Sequence, residues 1–201
     1  MIITWYGENC FKIQSGETAV ITDPFPSSVG LTPPRGEVTA TIKTVSMPEN
    51  LDFATNVVNG AGEYEYEGVS IMGFPVEQSD VLQTVYKIEM EGITIGILGK
   101  LLDGLPPKTL EELEEVDILI APAGGPPLAA VPGVARLIKQ IEPKIVIPSL
   151  YKVAGLKEKR GDVAAFWKEM GVKSAAPEEK LVLKKKDFET ITGTVVKVLS
   201  I

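Results

Sequence analysis

Residues 116–148 read VDILIAPAGGPPLAAVPGVARLIKQIEPKIVIP, and this stretch decides the fold class. Val116 to Ala121 is a continuous apolar run of strand length, and Ile145 to Pro148 is a second one. Between them, Val134 to Ile141 repeats its apolar residues at helical spacing. Strands that alternate with helices predict a sheet covered by helices, so this part of the chain indicates a layered α/β fold.

The segments on either side extend this alternation. Lys108 to Glu115 is predicted to be a short helix with Thr109 as its N-cap. Asp162 to Met170 is predicted to be another helix, which ends before Gly171. Two further strands are predicted near the end of the sequence, Lys180 to Lys184 and Thr194 to Leu199.

The first half of the chain is predicted to be mostly β-structure. Turn residues such as Gly7-Glu8-Asn9 separate short β-rich runs, and Glu91-Gly92 is a two-residue hairpin signal. Residues 23–36 hold four prolines and two glycines, which predicts an irregular loop. Glu63 to Glu67 alternates acids with tyrosines and is interpreted as an edge strand with one aromatic face. The other predicted strands are Ile2 to Tyr6, Cys10 to Gln14, Thr18 to Thr22, Thr39 to Ser46, Val69 to Phe74, Thr84 to Met90 and Ile93 to Leu98.

Composition limits the classes of function. The chain has 201 residues, of which 44% are hydrophobic, and no long linker divides it, so we expect a single domain over residues 1–201. A net charge of -7 argues against non-specific nucleic-acid binding, and Lys180 and Lys184–Lys186 are interpreted as a solvated strand face. No apolar stretch has the length of a membrane span, and residues 1–8 do not resemble a signal peptide. With Cys10 as the only cysteine, we expect a cytoplasmic protein without disulfides.

Three stretches, taken together and in order, carry a resemblance to a known family. They are Trp5 to Ile13 with Thr22 to Phe25, then Asn59 to Val69, then Val116 to Gly125 with Ile141 to Pro148. Over roughly residues 1–155, this order and spacing resemble the metal-dependent hydrolase branch of the metallo-β-lactamase superfamily, which includes ascorbate-6-phosphate lactonase-like proteins. The resemblance implies a four-layer αββα sandwich, with a metal site at one edge between its two sheets.

The metal site that the resemblance implies lacks its ligands in this chain. The family binds two zinc ions or similar metals, mainly through imidazole and carboxylate groups, and the metals lower the pKa of a bridging water. This sequence contains no histidine. The resemblance puts Met47, Glu49 and Asp52 at histidine positions and Leu51 at an aspartate position, in a loop that follows the strand ending at Val45-Ser46.

Other expected ligand positions are substituted in the same way. Gln78 lies near the next histidine position, Lys100 replaces the bridging aspartate, and Leu150 replaces the last histidine. Glu8 stands where a histidine usually follows the glycine. We therefore expect no metal and no cofactor. The resemblance implies a vestigial site formed by Glu8, Met47, Glu49, Asp52, Gln78, Lys100, Asp103 and Leu150.

The acids of this vestigial site allow two interpretations. Glu8, Glu49, Asp52 and Asp103 form either a carboxylate nest for Mg²⁺ or Ca²⁺ or a structural ion-pair cluster. We favour the second, with the Lys100 ammonium at its centre in place of the lost metals. Two residues close by are interpreted structurally. Cys10 is expected to be a buried free cysteine, and Asp23, which supports the metal loops in the family, is expected to cap loop amides here.

Two functions remain open. The first is a non-catalytic pseudoenzyme with a binding or assembly role, as a homo-oligomer, with an active relative, or with a small molecule in the vestigial cleft. The second is a hydrolase that uses carboxylate-bound Mg²⁺ or Mn²⁺, or that uses Glu49 as a general base without metal. A nucleic-acid processing role conflicts with the net charge of -7.

Overall fold

The computed structural model describes residues 1–45, 56–78, 81–114, 116–173 and 176–201, and the backbone alone at Val81. Within these residues the strands are β1 (Ile2–Gly7), β2 (Cys10–Ser15), β3 (Thr18–Thr22), β4 (Ala40–Lys43), β5 (Asn56–Asn59), β6 (Gly62–Tyr66), β7 (Val69–Gln78), β8 (Val81–Met90), β9 (Ile93–Ile97), β10 (Ile118–Pro122), β11 (Ile145–Ser149), β12 (Leu181–Val182) and β13 (Val195–Val196). The helices are α1 (Pro107–Glu112), α2 (Val131–Ile141) and α3 (Ala164–Met170).

These strands form two mixed β-sheets. The first sheet has the order β12-β1-β2-β3-β4-β5, and β3, β4 and β5 run parallel to one another. The second sheet has the order β13-β11-β10-β9-β8-β7-β6, and β9, β10, β11 and β13 run parallel. Helix α2 contacts β10 and both other α-helices. The αββα sandwich that we predicted is confirmed.

The core joins both halves of the chain. Its largest cluster contains Ile3 and Phe11 from the first sheet together with Ile120 and Leu199 from the second half of the sequence. A smaller cluster on the other face of the first sheet contains Cys10, Ile21, Phe25 and Leu31. The proline-rich loop supplies two of these four side chains, so it acts as the outer cover of this part of the sheet. Cys10 is fully buried, as we expected.

Two local predictions are wrong. Helix α1 begins at Pro107 and its N-cap residue is Pro106, while Thr109 lies buried inside the helix. A proline at the first helical position already has a helical φ and needs no amide partner. The lysines of residues 184–186 do not lie on a strand, because a 3₁₀ turn covers Lys185–Thr190. There the Lys185 ammonium pairs with the Asp117 carboxylate at 2.8 Å.

Two other local predictions are confirmed. Glu91 and Gly92 both have positive φ, 53° and 71°, as a tight hairpin turn between β8 and β9 requires. The alternating segment forms β6 at one edge of the second sheet, with Tyr64 and Tyr66 packed against the core. Within the described residues, no helix has the length and apolar character needed to span a membrane.

Candidate functional site

The candidate site lies where several loops meet at one edge of the sandwich. The two sheets touch there, because the amide of Thr84 in β8 donates to the carbonyl of Thr44, just after β4, at 2.8 Å. Val45 forms an isolated bridge with Gln83. The β1–β2 turn, the end of β7 and the segments after β9 and β11 carry the predicted site residues that the structure describes. The topology thus collects residues that are distant in sequence.

Glu8 and Leu150 lie next to each other, although 142 positions separate them in the numbering. The Leu150 amide donates to the Glu8 carbonyl at 3.1 Å, and the Trp5 indole donates to the same carbonyl at 3.0 Å. Leu150 is fully buried, and Glu8 is only 7% exposed. Two positions that the resemblance assigns to metal ligands therefore do meet in the fold.

The Glu8 carboxylate is held by an arginine that the sequence analysis did not single out. Arg160 Nη2 donates to Glu8 Oε2 at 2.6 Å, and the two side chains are 7% and 9% exposed respectively. The sequence analysis placed Lys100 at the centre of the acidic cluster, but the structure pairs Glu8 with Arg160, and Glu49 and Asp52 lie outside the described residues. Lys157 and Lys159 in the same basic run are exposed, and no sequence pattern distinguishes Arg160 from them.

Asp23 is a second centre of the site. Its Oδ1 accepts a hydrogen bond from the Thr44 amide at 2.7 Å, and its Oδ2 accepts from Asn9 Nδ2 at 2.7 Å and from the Thr44 hydroxyl. The predicted amide-capping role is thus confirmed. Burial raises the pKa of the Asp23 carboxyl, whereas the hydrogen bonds from Thr44 and Asn9 and the charge of Lys100 act against this rise. Asp23 links the β1–β2 turn to the end of β4.

Lys100 and Asp103 take positions that differ from the expected cluster. Lys100 is half-buried and acts on Asp23 through its charge, but it forms no ion pair with any carboxylate of the described residues. Asp103 is exposed, and its amide donates to Gln78 Oε1 at 3.2 Å. The Leu102 amide donates to the same oxygen. Gln78 therefore holds the loop after β9 in place.

Three of the predicted site residues, Met47, Glu49 and Asp52, lie outside the residues that the structure describes. Leu51, at the expected aspartate position, lies outside them as well. The interpretation of this loop stays a prediction.

The described part of the candidate site does not fit a transition metal. Zinc requires nitrogen, sulfur or oxygen ligands with free lone pairs. Leu150 offers none, and the Glu8 carboxylate is engaged by a permanent cation. Lys100 places a second positive charge near Asp23. No group of three or more Cys, Asp or Glu side chains that could hold a metal ion occurs in residues 1–45, 56–78, 81–114, 116–173 and 176–201.

The buried Cys10 does not offer an alternative reactive group. Burial raises the pKa of its thiol well above the ordinary value, and the nearby Asp23 adds to the rise. A protonated thiol is a poor nucleophile. The interpretation of Cys10 as a structural residue agrees with this environment.

Comparisons with known proteins agree with the fold. The family model of the beta-lactamase superfamily domain matches residues 2–149. A Thermotoga maritima protein assigned as a Zn-dependent hydrolase of the metallo-β-lactamase superfamily is 26% identical, with a TM-score of 0.82 and 99% coverage of both chains. A comparison with curated proteins finds no match.

Two more distant structures show the fold alone. Igni18, a metallo hydrolase of Ignicoccus hospitalis, is 14% identical, with a TM-score of 0.62 over 91% of this chain and 99% of its own. A Parabacteroides distasonis protein assigned as a metal-dependent hydrolase is 13% identical, with a TM-score of 0.61 over 98% of this chain and 93% of its own. With the family match over residues 2–149, the chain belongs to the metallo-β-lactamase superfamily.

Proposed function

We propose that this chain is a non-catalytic member of the superfamily, a pseudoenzyme with a binding or assembly role, derived from the branch with ascorbate-6-phosphate lactonase-like proteins. One observation carries the proposal. In a sequence without histidine, the two ligand positions that meet in the fold hold an aliphatic side chain, Leu150, and a carboxylate already paired with Arg160. Leu150 has no lone pair to offer, and a metal at Glu8 would have to lie beside the Arg160 guanidinium, whose positive charge repels a cation.

The loss concerns ligand chemistry and leaves the scaffold intact. The Thermotoga relative, assigned as a Zn-dependent hydrolase, covers 99% of this chain at a TM-score of 0.82. A binding or assembly role needs a stable fold but does not need the catalytic groups of the site. Without histidine, the chain lacks the groups that would hold the zinc ions, and these ions activate the water in such a site.

A cleft beside the candidate site offers a location for a binding role. An open cleft of about 610 Å³ is lined by residues 76–78 and 102–106, including Gln78 and Asp103. Its volume lies within the range of roughly 300–1,000 Å³ for small-molecule sites. Leu102 is 40% exposed there and offers an apolar contact. We place the small-molecule ligand of the binding hypothesis in this cleft.

The first experiment measures metal and activity. We expect purified protein to contain no stoichiometric zinc, iron or manganese, and EDTA to leave the melting temperature unchanged. We also expect no hydrolysis of phosphodiester, lactone or thioester substrates above the blank, with or without added Mg²⁺ or Mn²⁺. Stoichiometric zinc, or hydrolysis that depends on added metal, would overturn the proposal.

The alternative function is distinguished in the same experiment. A hydrolase that uses carboxylate-bound Mg²⁺ or Mn²⁺ would show metal-dependent turnover. A metal-free hydrolase with Glu49 as its general base would keep its turnover in EDTA and would lose it in Glu49→Gln. Either outcome would replace the pseudoenzyme proposal.

The binding arm is tested by a thermal-shift screen of small metabolites. A ligand of the cleft raises the melting temperature of the wild type but not of Leu102→Asp, which puts a charge into the apolar wall. Leu82→Asp is the matched control, because Leu82 is also exposed, at 58%, but does not line the cleft. A ligand that stabilises Leu102→Asp as well would show that the cleft is not its site.

A further inference from the structure

Arg160 forms an ion pair that connects distant parts of the chain. Its guanidinium lies in the segment after β11 and contacts the carboxylate of Glu8, which is 152 positions earlier, in the β1–β2 turn. At 2.6 Å with both side chains more than nine-tenths buried, the contact is a desolvated ion pair. The three other ion pairs among the described residues each include a side chain that is at least 43% exposed.

Both partners are positioned by backbone contacts. The amide of Gly161, directly after Arg160, donates to the Gly124 carbonyl at 2.9 Å, and the Lys152 amide donates to the Gly161 carbonyl at 2.9 Å. On the other side, the Glu8 carbonyl accepts from Leu150 and Trp5. The guanidinium is thus directed at Glu8 by a docked segment of backbone and not by a flexible surface loop.

Each partner of the pair has one further buried polar atom. Arg160 Nε and Glu8 Oε1 are buried, and neither has a hydrogen-bond partner among the described residues. The contact between the two side chains is the single hydrogen bond from Arg160 Nη2 to Glu8 Oε2, a charge-assisted one. Arg160 Nη1 donates to the Lys159 carbonyl at 3.1 Å.

We propose that Arg160 is the internal cation that replaces the metal of active relatives as the cross-link between the β1–β2 turn and the segment after β11. This inference rests on the proposed loss of the metal. A lone carboxylate at Glu8 would be costly to bury, and a cation must compensate it. A guanidinium stays charged at all working pH values and cannot be removed by a chelator.

The test is a double-mutant cycle measured by urea unfolding, with Glu8→Gln, Arg160→Met and the double variant. Removing one partner of a buried ion pair costs about 3–5 kcal/mol, so Arg160→Met should raise the unfolding equilibrium constant by at least about 100-fold. The double variant should recover most of this loss, because no charge is then left buried. The strong coupling between the two sites is the expected result.

The matched control is the exposed pair Lys197–Glu178, which has a similar distance of 2.9 Å but side chains that are 37% and 43% exposed. The cycle of Lys197→Met with Glu178→Gln should show a coupling of less than about fivefold in the unfolding constant. A Glu8–Arg160 coupling no larger than that of the control would overturn the inference.

A variant that fails to fold still decides the question. If Arg160→Met does not fold but the double variant does, the buried charge of Glu8 is the cause and the inference holds. If the double variant also fails while Glu8→Gln alone is stable, Arg160 acts on something other than Glu8 and the inference is wrong. Zinc measured in the wild type would instead contradict the proposed function, whatever the cycle shows.

Discussion

Three residues of the candidate site have left-handed backbone without being glycine. Glu8, Asp23 and Leu150 have φ values of 49°, 36° and 55°. This region costs an L-residue roughly 1–2 kcal/mol, so surrounding contacts must hold it. Those contacts are visible, since the Asp23 amide donates to the Ile42 carbonyl at 2.9 Å and the Leu150 amide donates to the Glu8 carbonyl. These backbone contacts therefore fix the loop geometry of the candidate site.

Asp23→Asn is the first prediction at this scale. In the wild type, Asp23 Oδ2 accepts hydrogen bonds from Asn9 Nδ2 and Thr44 Oγ1. An amide NH₂ group at that place would face these donors and could not accept from them. We expect a loss of about 1.5–3 kcal/mol in the free energy of unfolding, the usual range for hydrogen bonds to a charged group. Urea unfolding at neutral pH measures it. Asp162→Asn is the control, because this exposed carboxylate accepts from the Ala164 amide and asparagine caps equally well.

The stability difference between the wild type and Asp23→Asn should also depend on pH. Burial raises the pKa of Asp23 in the folded state above its ordinary value of 3.8. The stability linked to this proton is therefore fully present below the unfolded pKa and is lost as pH rises through the folded pKa. The stability difference between the wild type and Asp23→Asn should widen as pH falls from 7 towards about 4. A difference that narrows over this range would contradict the assigned direction.

Lys100→Ala is expected to have a small effect. The sequence suggested that several acids share the Lys100 ammonium. In the structure, Glu8 forms its ion pair with Arg160, and Asp103 is exposed. Lys100 still acts on Asp23 by its charge, from a half-buried position. We therefore expect a loss of about 1 kcal/mol or less, typical of a partly solvated interaction. A loss as large as that of Arg160→Met would restore Lys100 to the centre of the cluster.

At the scale of elements, a close approach of three backbone segments positions Arg160. A Cβ atom at Gly161 would lie 2.4 Å from the Gly124 carbonyl oxygen, and one at Gly124 would lie 2.2 Å from the Leu150 carbonyl oxygen. Only glycine allows the segment after β11 to lie against the loop after β10 at this distance. Gly124 and Gly161 thus have a packing role.

Gly161→Ala is the prediction at this scale. Because the obstructing atom is backbone, the segment must shift, and we expect a loss of roughly 1–3 kcal/mol, as for other overpacked sites. Gly133→Ala is the matched control. Gly133 lies inside α2, and the nearest neighbour of an added Cβ is a flexible Arg136 nitrogen at 3.8 Å. Alanine there should stabilise the helix by roughly 0.5–1 kcal/mol. Equal effects of both substitutions in urea unfolding would show that the Gly161 contact is not tight.

The elements also show what sequence reasoning reached and what it missed. Buried strands such as Ile118–Pro122 were predictable, because a short, continuous apolar run leaves few alternatives. Strand β5 (Asn56–Asn59) was missed, since its pattern of two valines between asparagines carries little signal. Arg160 was missed for a different reason. Its partner is 152 residues away, and only the three-dimensional path of the chain brings the two together.

At the scale of the molecule, assembly remains a proposal. Strand β6 is an edge of the second sheet and exposes Glu63 and Glu65, while Val57 in edge strand β5 of the first sheet is 45% exposed. Acids on an edge oppose pairing with an identical edge. We therefore expect any homo-oligomer to use a surface other than β6 paired with itself. Sedimentation as a 21.6 kDa monomer at high protein concentration would count against a homo-oligomer altogether.

The last prediction concerns cooperativity. The two tryptophans report on the two halves of the sequence, because Trp5 lies in β1 and Trp167 lies in α3. Trp5 is almost fully buried, with its ring centroid 4.9 Å from that of Tyr151, which follows β11. The β1–β2 turn and the segment after β11 therefore share one core and one buried ion pair.

A shared core should make the halves unfold together. In each single-tryptophan variant, Trp5→Phe and Trp167→Phe, we expect the urea midpoint from fluorescence to coincide with the midpoint from far-ultraviolet circular dichroism. The two midpoints are compared within one variant, so a change in stability caused by the substitution shifts both and does not affect the result. When Glu8→Gln and Arg160→Met are added to either variant, the fluorescence and circular-dichroism midpoints should still coincide, because the apolar contacts of the core remain. Separate midpoints for the two tryptophans, or a stable half released by limited proteolysis, would show that the chain consists of two domains and that the Glu8–Arg160 pair joins them only at their surface.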